Sequence, residues 1–159
     1  MSLLPLFQWM TTTSLAQYFS ATTWSMPIVQ IIHLVAVALF SGAVIVVDLR
    51  LMGRGLTGTP IRQLAKATEP YLILAFVVLL ITGTPQMLSL AMKQYYSPFF
   101  WWKAEAMLVA LILTVTVRRK MCNMDDSQLG SFWPKVVGLT SLGLWSGVII
   151  GARLIGLLS

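Results

Sequence analysis

Long apolar stretches alternate with short polar ones along the chain. Four of the apolar stretches are long enough to cross a bilayer as helices, which takes about 20 residues each. They run roughly over Pro27–Val47, Tyr71–Leu90, Trp101–Val117 and Val136–Leu158. The pattern predicts an all-α fold in which residues 1–159 form a single integral membrane domain, built as a four-helix bundle.

The prolines set the expected limits of these helices. Pro27 suits a first helical turn, where its missing N–H would be unpaired in any case. Pro70 and Pro134 stand just before the second and fourth spans. Pro85 lies near the end of the second span. We expect it to kink or end that helix, because proline removes a backbone hydrogen bond.

Residues 1–26 include a polar and aromatic stretch without charge. It predicts a short interfacial helix or loop, with Trp9, Tyr18 and Trp24 at the level of the lipid headgroups. Residues 1–23 contain no Lys or Arg, and no short apolar run there ends in a cleavage site. We therefore expect the first span to insert as its own uncleaved signal.

Composition supports a membrane protein. Hydrophobic residues make up 57% of the chain and charged residues 10%, whereas a soluble domain usually carries about 25% charged residues. The net charge of +6 does not indicate a nucleic-acid partner, because the basic residues lie in short loops between apolar spans. Topology and anionic lipid headgroups account for them there. The expected partner is the lipid bilayer.

The basic residues also predict an orientation. One group lies in the loop Asp48–Glu69 and the other follows the third span: Arg50, Arg54, Arg62 and Lys66, then Arg118, Arg119, Lys120 and Lys135. The opposite side carries Lys93, with Lys103 and Arg153 near helix ends. By the positive-inside rule both basic loops face the cytoplasm. Both termini would then be periplasmic, in a bacterial inner membrane.

His33 is the only histidine and lies within the first apolar span. Lipid offers an imidazole no hydrogen bond, so this side chain needs a partner, a ligand or a metal. It lies about 9 Å below the start of the span at 1.5 Å per residue. On the predicted topology, every span contributes polar or ionisable groups to the same outer half of the bundle: Gln30, Thr82, Thr84, Gln86, Lys103, Glu105, Trp145 and Arg153.

This convergence favours a haem b site that serves electron transfer or haem chemistry, because membrane four-helix bundles commonly hold haem through an axial histidine. His33 would bind the iron, and Lys103 and Arg153 would hold the propionates. Trp145 would line the macrocycle. Two further residues complete the expected cofactor-binding set: Gln30 and Thr84.

Only one histidine is available, so a sixth iron ligand would be a methionine, Lys103 or nothing. Met107 is the best-placed thioether, one turn below Lys103 on the same helix face. Copper held by His33 and methionines is a second possibility. A proton or quinone site built on His33, Gln30 and Glu105 is a third.

A cofactor-free function is the main alternative. His33 would then be hydrogen-bonded to a neighbouring helix, and Glu105 would form an ion pair with Arg153. Lys103 and Arg153 would otherwise extend to the headgroups. Such a protein would be a structural or accessory subunit of a larger membrane complex, with other membrane-protein subunits as partners. Cys122 is expected to be a reduced thiol in a cytoplasmic loop, and the sequence contains no motif of the soluble enzyme classes.

Three motifs resemble an uncharacterised bacterial family of four-helix membrane proteins, known as a domain of unknown function. They are W-x-x-P-x-x-Q-x-x-H over Trp24–His33, VVDLRLMG over Val46–Gly53, and LWSGVIIGARLIG over Leu144–Gly156. The resemblance covers nearly the whole chain. In plan the family is also distantly similar to the copper-resistance D membrane proteins and to HemJ, the membrane protoporphyrinogen oxidase.

The resemblance implies that His33 and Lys103 correspond to the first-helix histidine and third-helix lysine that mark HemJ. The chain departs from the family pattern at Gln30, where members usually carry Glu. It also lacks the histidine that members often carry at the inner end of the third span, where this chain reads TVTVRRK. These departures imply a variant with a narrower role, such as an accessory subunit.

Overall fold

A computed structural model describes residues 3–124, 127 and 130–158, and all regular structure in this part of the chain is helical. The all-α prediction is therefore confirmed for these residues. In chain order the helices are α1 Leu4–Thr11, α2 Ser14–Ala21, α3 Ser25–Leu51, α4 Ile61–Ser89, α5 Ala91–Tyr96, α6 Pro98–Leu113, a π turn Thr114–Arg118, α7 Arg119–Cys122 and α8 Trp133–Leu158.

In the part of the chain that the structure describes, four helical segments are long and apolar enough to cross a membrane: Ser25–Leu51, Ile61–Ser89, Pro98–Cys122 and Trp133–Leu154. They correspond to the four predicted spans, and they fit a multi-pass membrane protein. The second begins ten residues before the predicted Tyr71. The more polar residues just before Tyr71 include no glycine. They therefore continue the helix although they are not part of an apolar stretch.

Two prolines lie inside α4, so Pro70 does not stand before a helix and Pro85 does not end one, contrary to those predictions. The helix continues through both to Ser89, and the predicted kink at Pro85 stays a prediction. Membrane helices tolerate internal proline where neighbouring groups bond the freed backbone carbonyls. Pro134 lies in the first turn of α8, which begins one residue earlier at Trp133.

The four long helices alternate in direction and enclose an apolar core. Helix α3 packs against α4 and α8, and α8 also packs against α6. The Phe40 and Trp145 rings meet edge to face at the centre, with centroids 4.6 Å apart. Trp145 Nε1 donates to Thr114 Oγ1 at 3.2 Å, which satisfies the buried indole.

The short helices α1, α2 and α5 lie at one end of the bundle, which we call the outer end. The described residues 3–26 thus contain two short helices, and Trp9, Tyr18 and Trp24 are exposed there. Phe7 of α1 is buried among three aromatic rings: Tyr95, Phe100 and Trp101. We call the opposite end, where α3 meets the start of α8, the inner end.

Candidate functional site

His33 is bonded to the neighbouring helix through one ring nitrogen. Its Nδ1 lies 2.7 Å from Thr82 Oγ1 on α4. The Thr82 hydroxyl also lies 2.7 Å from the Val78 carbonyl oxygen, which can only accept a hydrogen bond. The single hydroxyl proton therefore goes to Val78, and His33 donates its Nδ1 proton to Thr82. This assigns the unprotonated lone pair to Nε2.

The residues packed around His33 hold the ring in place but leave part of it exposed. Thr82 is buried and His33 is half-buried. Gly83 faces the ring, and a Cβ at that position would lie 3.6 Å from His33 Cε1. The imidazole is thus fixed against α4 by one hydrogen bond and lies beside Gly83, while part of it stays accessible.

Lys103 lies in the second turn of α6 and is half-buried. Gly151 of α8 makes room for this part of α6, since a Cβ there would lie 3.1 Å from Trp102 Cζ3 and 3.4 Å from Lys103 Cβ. The outer half of the bundle therefore contains a half-buried imidazole on α3 and a half-buried lysine on α6.

Trp145 lies away from His33. It packs against Phe40, which is seven residues further inward along α3, about 10 Å at 1.5 Å per residue. Four other predicted site residues are on the surface: Gln30, Thr84, Met107 and Arg153. The Thr84 hydroxyl donates to the Leu80 carbonyl oxygen at 2.8 Å. Thr82 therefore makes the helix-to-helix contact with His33, and Thr84 does not.

The possible ion pair between Glu105 and Arg153 does not form among the described residues. Glu105 is exposed and lines an open groove of about 260 Å³ between α6 and α8. Trp102 forms one wall of this groove, and Gly143 and Gly147 lie on the α8 side. His33 does not line it.

Sequence reasoning missed a second polar cluster at the inner end. Arg118 Nε donates to Asp48 Oδ1 at 2.8 Å, and the two residues are 7% and 0% exposed. The sequence analysis placed both in loops, which is wrong. Asp48 lies in α3, and Arg118 ends the π turn within a helical segment that continues to Cys122. Cys122 is likewise helical and buried rather than in a loop, and its thiol is free.

The helices approach one another closely around this pair. A Cβ at Gly138 of α8 would lie 2.8 Å from the Asp48 carbonyl oxygen, so only glycine fits there. Ser141, one turn further along α8, is fully buried beside the Asp48 carboxylate. A sequence signal existed, since an acidic and a basic residue occupy the inner ends of the first and third spans.

Among the residues that the structure describes, no three His, Cys, Asp or Glu side chains come together as a metal-ion site. A metal ion held at His33 would therefore have fewer than three such side chains of the described residues as ligands.

The comparisons with known proteins give one result. A family model described as "Family of unknown function (DUF6644)" matches residues 6–158. No curated protein and no solved structure matches the chain. The match covers nearly the whole chain, as the sequence motifs implied, and the more distant likeness to copper-resistance D proteins and HemJ stays a prediction.

Proposed function

We propose that this chain, which belongs to the DUF6644 family, is an integral membrane protein that binds haem b in the outer half of its bundle. His33 would be the axial ligand to iron. One observation carries the proposal: the Nδ1 proton of His33 is committed to Thr82, which leaves Nε2 as a ligating nitrogen. Histidines that bind metals usually donate their other ring N–H to an oxygen in this way.

The donor set also fits haem better than a bare metal ion. The porphyrin supplies the equatorial nitrogens, so the protein needs to provide only one strong axial ligand. Zinc and copper sites draw most of their ligands from protein side chains. A single imidazole, in a chain whose described residues bring no three His, Cys, Asp or Glu side chains together, matches the requirement of haem.

Lys103 supplies a second reason. It is a half-buried cation in an apolar bundle, and no carboxylate of the described part of the chain pairs with it. An unpaired ammonium in a membrane span is costly and favours an anionic partner. A haem propionate would be such a partner. Arg153 is exposed on the surface and is not needed for this contact.

The proposed roles follow from these contacts. His33 would bind iron through Nε2, Thr82 would orient the imidazole, and Lys103 would hold a propionate. Bound haem b would supply one-electron redox chemistry. By the charge distribution, we place the site near the periplasmic face of a bacterial inner membrane, with both termini periplasmic.

The test is the optical spectrum of the full chain, purified in mild detergent and then titrated with haem. We expect a Soret band that His33→Ala abolishes. Absence of the band from both the purified and the haem-titrated wild type would refute the proposal, and so would its retention in His33→Ala. Absence of the band would favour the alternative function, a cofactor-free subunit of a larger membrane complex, whereas its retention in His33→Ala would mean that another residue binds the haem.

Two neighbouring threonines provide a matched pair of variants. Thr82→Val removes the acceptor for His33 Nδ1 and should weaken haem binding about 10-fold or more, as loss of such an orienting group does in metal sites. Thr84→Val removes a hydroxyl that bonds only its own helix, and should leave binding unchanged. Equal effects of the two variants would contradict the role of Thr82.

A further inference from the structure

The surface formed by α6 and α8 has features that a lipid-facing surface does not require. On α8 the exposed residues recur at alternating spacings of four and three: Leu139, Gly143, Ser146, Ile150 and Arg153. The middle of this row consists of small side chains, and a Cβ at Gly143 would meet no atom within 4 Å. Small residues on a membrane helix allow a second helix to approach closely.

Glu105 is the second unusual feature. It lies in the middle of the exposed face of α6, seven residues after Pro98 and so about 10 Å along the helix. Leu108, Val109 and Ile112 surround it on that face and are exposed. The carboxylate has no hydrogen bond or ion pair with any described residue. A charged group in this position is expensive in lipid unless it meets an opposite charge.

The chain itself contains a suitable opposite charge. Arg153 is exposed near the outer end of α8, and it has no ion pair with the described residues. Because α6 enters from the outer end and α8 returns to it, Glu105 and Arg153 both belong to the outer half of the same surface. Within one chain they do not pair. In a two-fold dimer, Glu105 of each copy would face Arg153 of the other copy.

We infer that the α6–α8 surface is a dimer interface that binds a second copy of this chain within the membrane. Glu105 of each copy pairs with Arg153 of the other, and the groove beside Gly143 and Gly147 receives side chains of the second copy. In the two-fold arrangement a single contact surface forms two ion pairs, so the Glu105 and Arg153 charges of both copies are paired. This inference does not depend on haem, because His33 and Lys103 lie outside the residues it uses.

A charge exchange tests the interface in the intact chain. End-labelled protein is reconstituted into phosphatidylethanolamine–phosphatidylglycerol vesicles, and dimers are counted by single-molecule photobleaching over a range of protein-to-lipid ratios. We expect Glu105→Lys and Arg153→Glu each to weaken dimerisation about 10-fold, and the double variant to recover to within about 3-fold of wild type. A monomeric wild type at every ratio overturns the inference, as does a double variant no better than the singles.

Two glycines provide the control for close approach, and they keep the test valid if a charge variant folds poorly. Gly143 and Gly42 are both exposed in membrane-spanning helices, and neither would place a Cβ within 4 Å of another atom. Gly143→Leu should abolish dimers because it fills the contact surface, whereas Gly42→Leu, on α3, should leave them intact. Equal behaviour of these two variants overturns the inference.

Discussion

The buried ion pair between Asp48 and Arg118 gives the sharpest test of what holds the bundle together. Arg118→Leu leaves the Asp48 carboxylate without a counter-charge at a position with no solvent exposure. Removing one partner of a buried pair costs about 3–5 kcal/mol, chiefly because the remaining charge stays buried. Both residues are more than nine-tenths buried, so solvent screening reduces this figure little.

Replacing both charges should cost much less. Asp48→Leu combined with Arg118→Leu removes the uncompensated charge, and apolar replacements of a buried pair are often neutral or stabilising. The two substitutions should therefore be strongly non-additive, with the double variant more stable than Arg118→Leu alone. Arg119→Leu is the matched control, since Arg119 is the exposed next residue, and it should change stability by less than about 0.5 kcal/mol.

The assay is equilibrium unfolding of the purified chain in mixed micelles, with increasing sodium dodecyl sulfate as denaturant. A loss of about 3–5 kcal/mol is a large part of the stability of an ordinary domain. The Arg118→Leu transition should accordingly move to clearly lower denaturant than wild type. Additive costs in the double variant, or equal effects of Arg118→Leu and Arg119→Leu, would show that the pair does not stabilise the bundle.

Two smaller predictions concern the packing between helices and use the same unfolding assay. Gly138→Ala should destabilise the protein by about 1–3 kcal/mol, because the added Cβ would lie 2.8 Å from the Asp48 carbonyl oxygen and force α3 and α8 apart. A neutral result would mean that the two helices separate easily there. Trp145→Phe and Thr114→Val should each cost about 1 kcal/mol and be non-additive, because each removes the same hydrogen bond. Independent costs would indicate that packing of the indole, and not its N–H, matters.

The hydrophobic pattern predicted the four spans and their alternation because the bilayer imposes a minimum apolar length on each helix. It did not predict helix ends, since polar residues such as those before Tyr71 continue a helix as readily as apolar ones. Charge counting placed Asp48 and Arg118 in loops for the same reason. The bond between them joins residues far apart in sequence, and its formation depends on how each helix is rotated.

The rotation of α4 about its axis also explains why His33 bonds to Thr82 and not to Thr84. The sequence placed Thr82 and Thr84 at the same level of the bundle, but two side chains that are two residues apart on a helix point in directions about 160° apart. Only one of them can face α3, and the structure selects Thr82. The depth of a residue in the membrane can thus be predicted from its position in a span. The direction in which its side chain points from the helix axis depends on the tertiary contacts.

The two polar sites of the bundle are related through their spacing. His33 precedes Asp48 by fifteen residues in α3, and Lys103 precedes Arg118 by fifteen residues from α6 through the π turn. At 1.5 Å per residue, each pair spans about 22 Å. Because α3 and α6 run in the same direction, Asp48 and Arg118 meet at the inner end, while His33 and Lys103 both lie in the outer half of the bundle. A π turn contains one more residue per hydrogen-bonded turn than an α-helix, so it also changes the direction of Arg118.

The polar contacts at the two ends of the bundle fix different pairs of helices. Asp48 and Arg118 join α3 to the segment that follows α6 at the inner end, and this buried contact fixes the rotation of the two helices. His33 and Thr82 join α3 to α4 at the outer end. Helix α3 is therefore held in rotation at both ends, by polar contacts to two different neighbours.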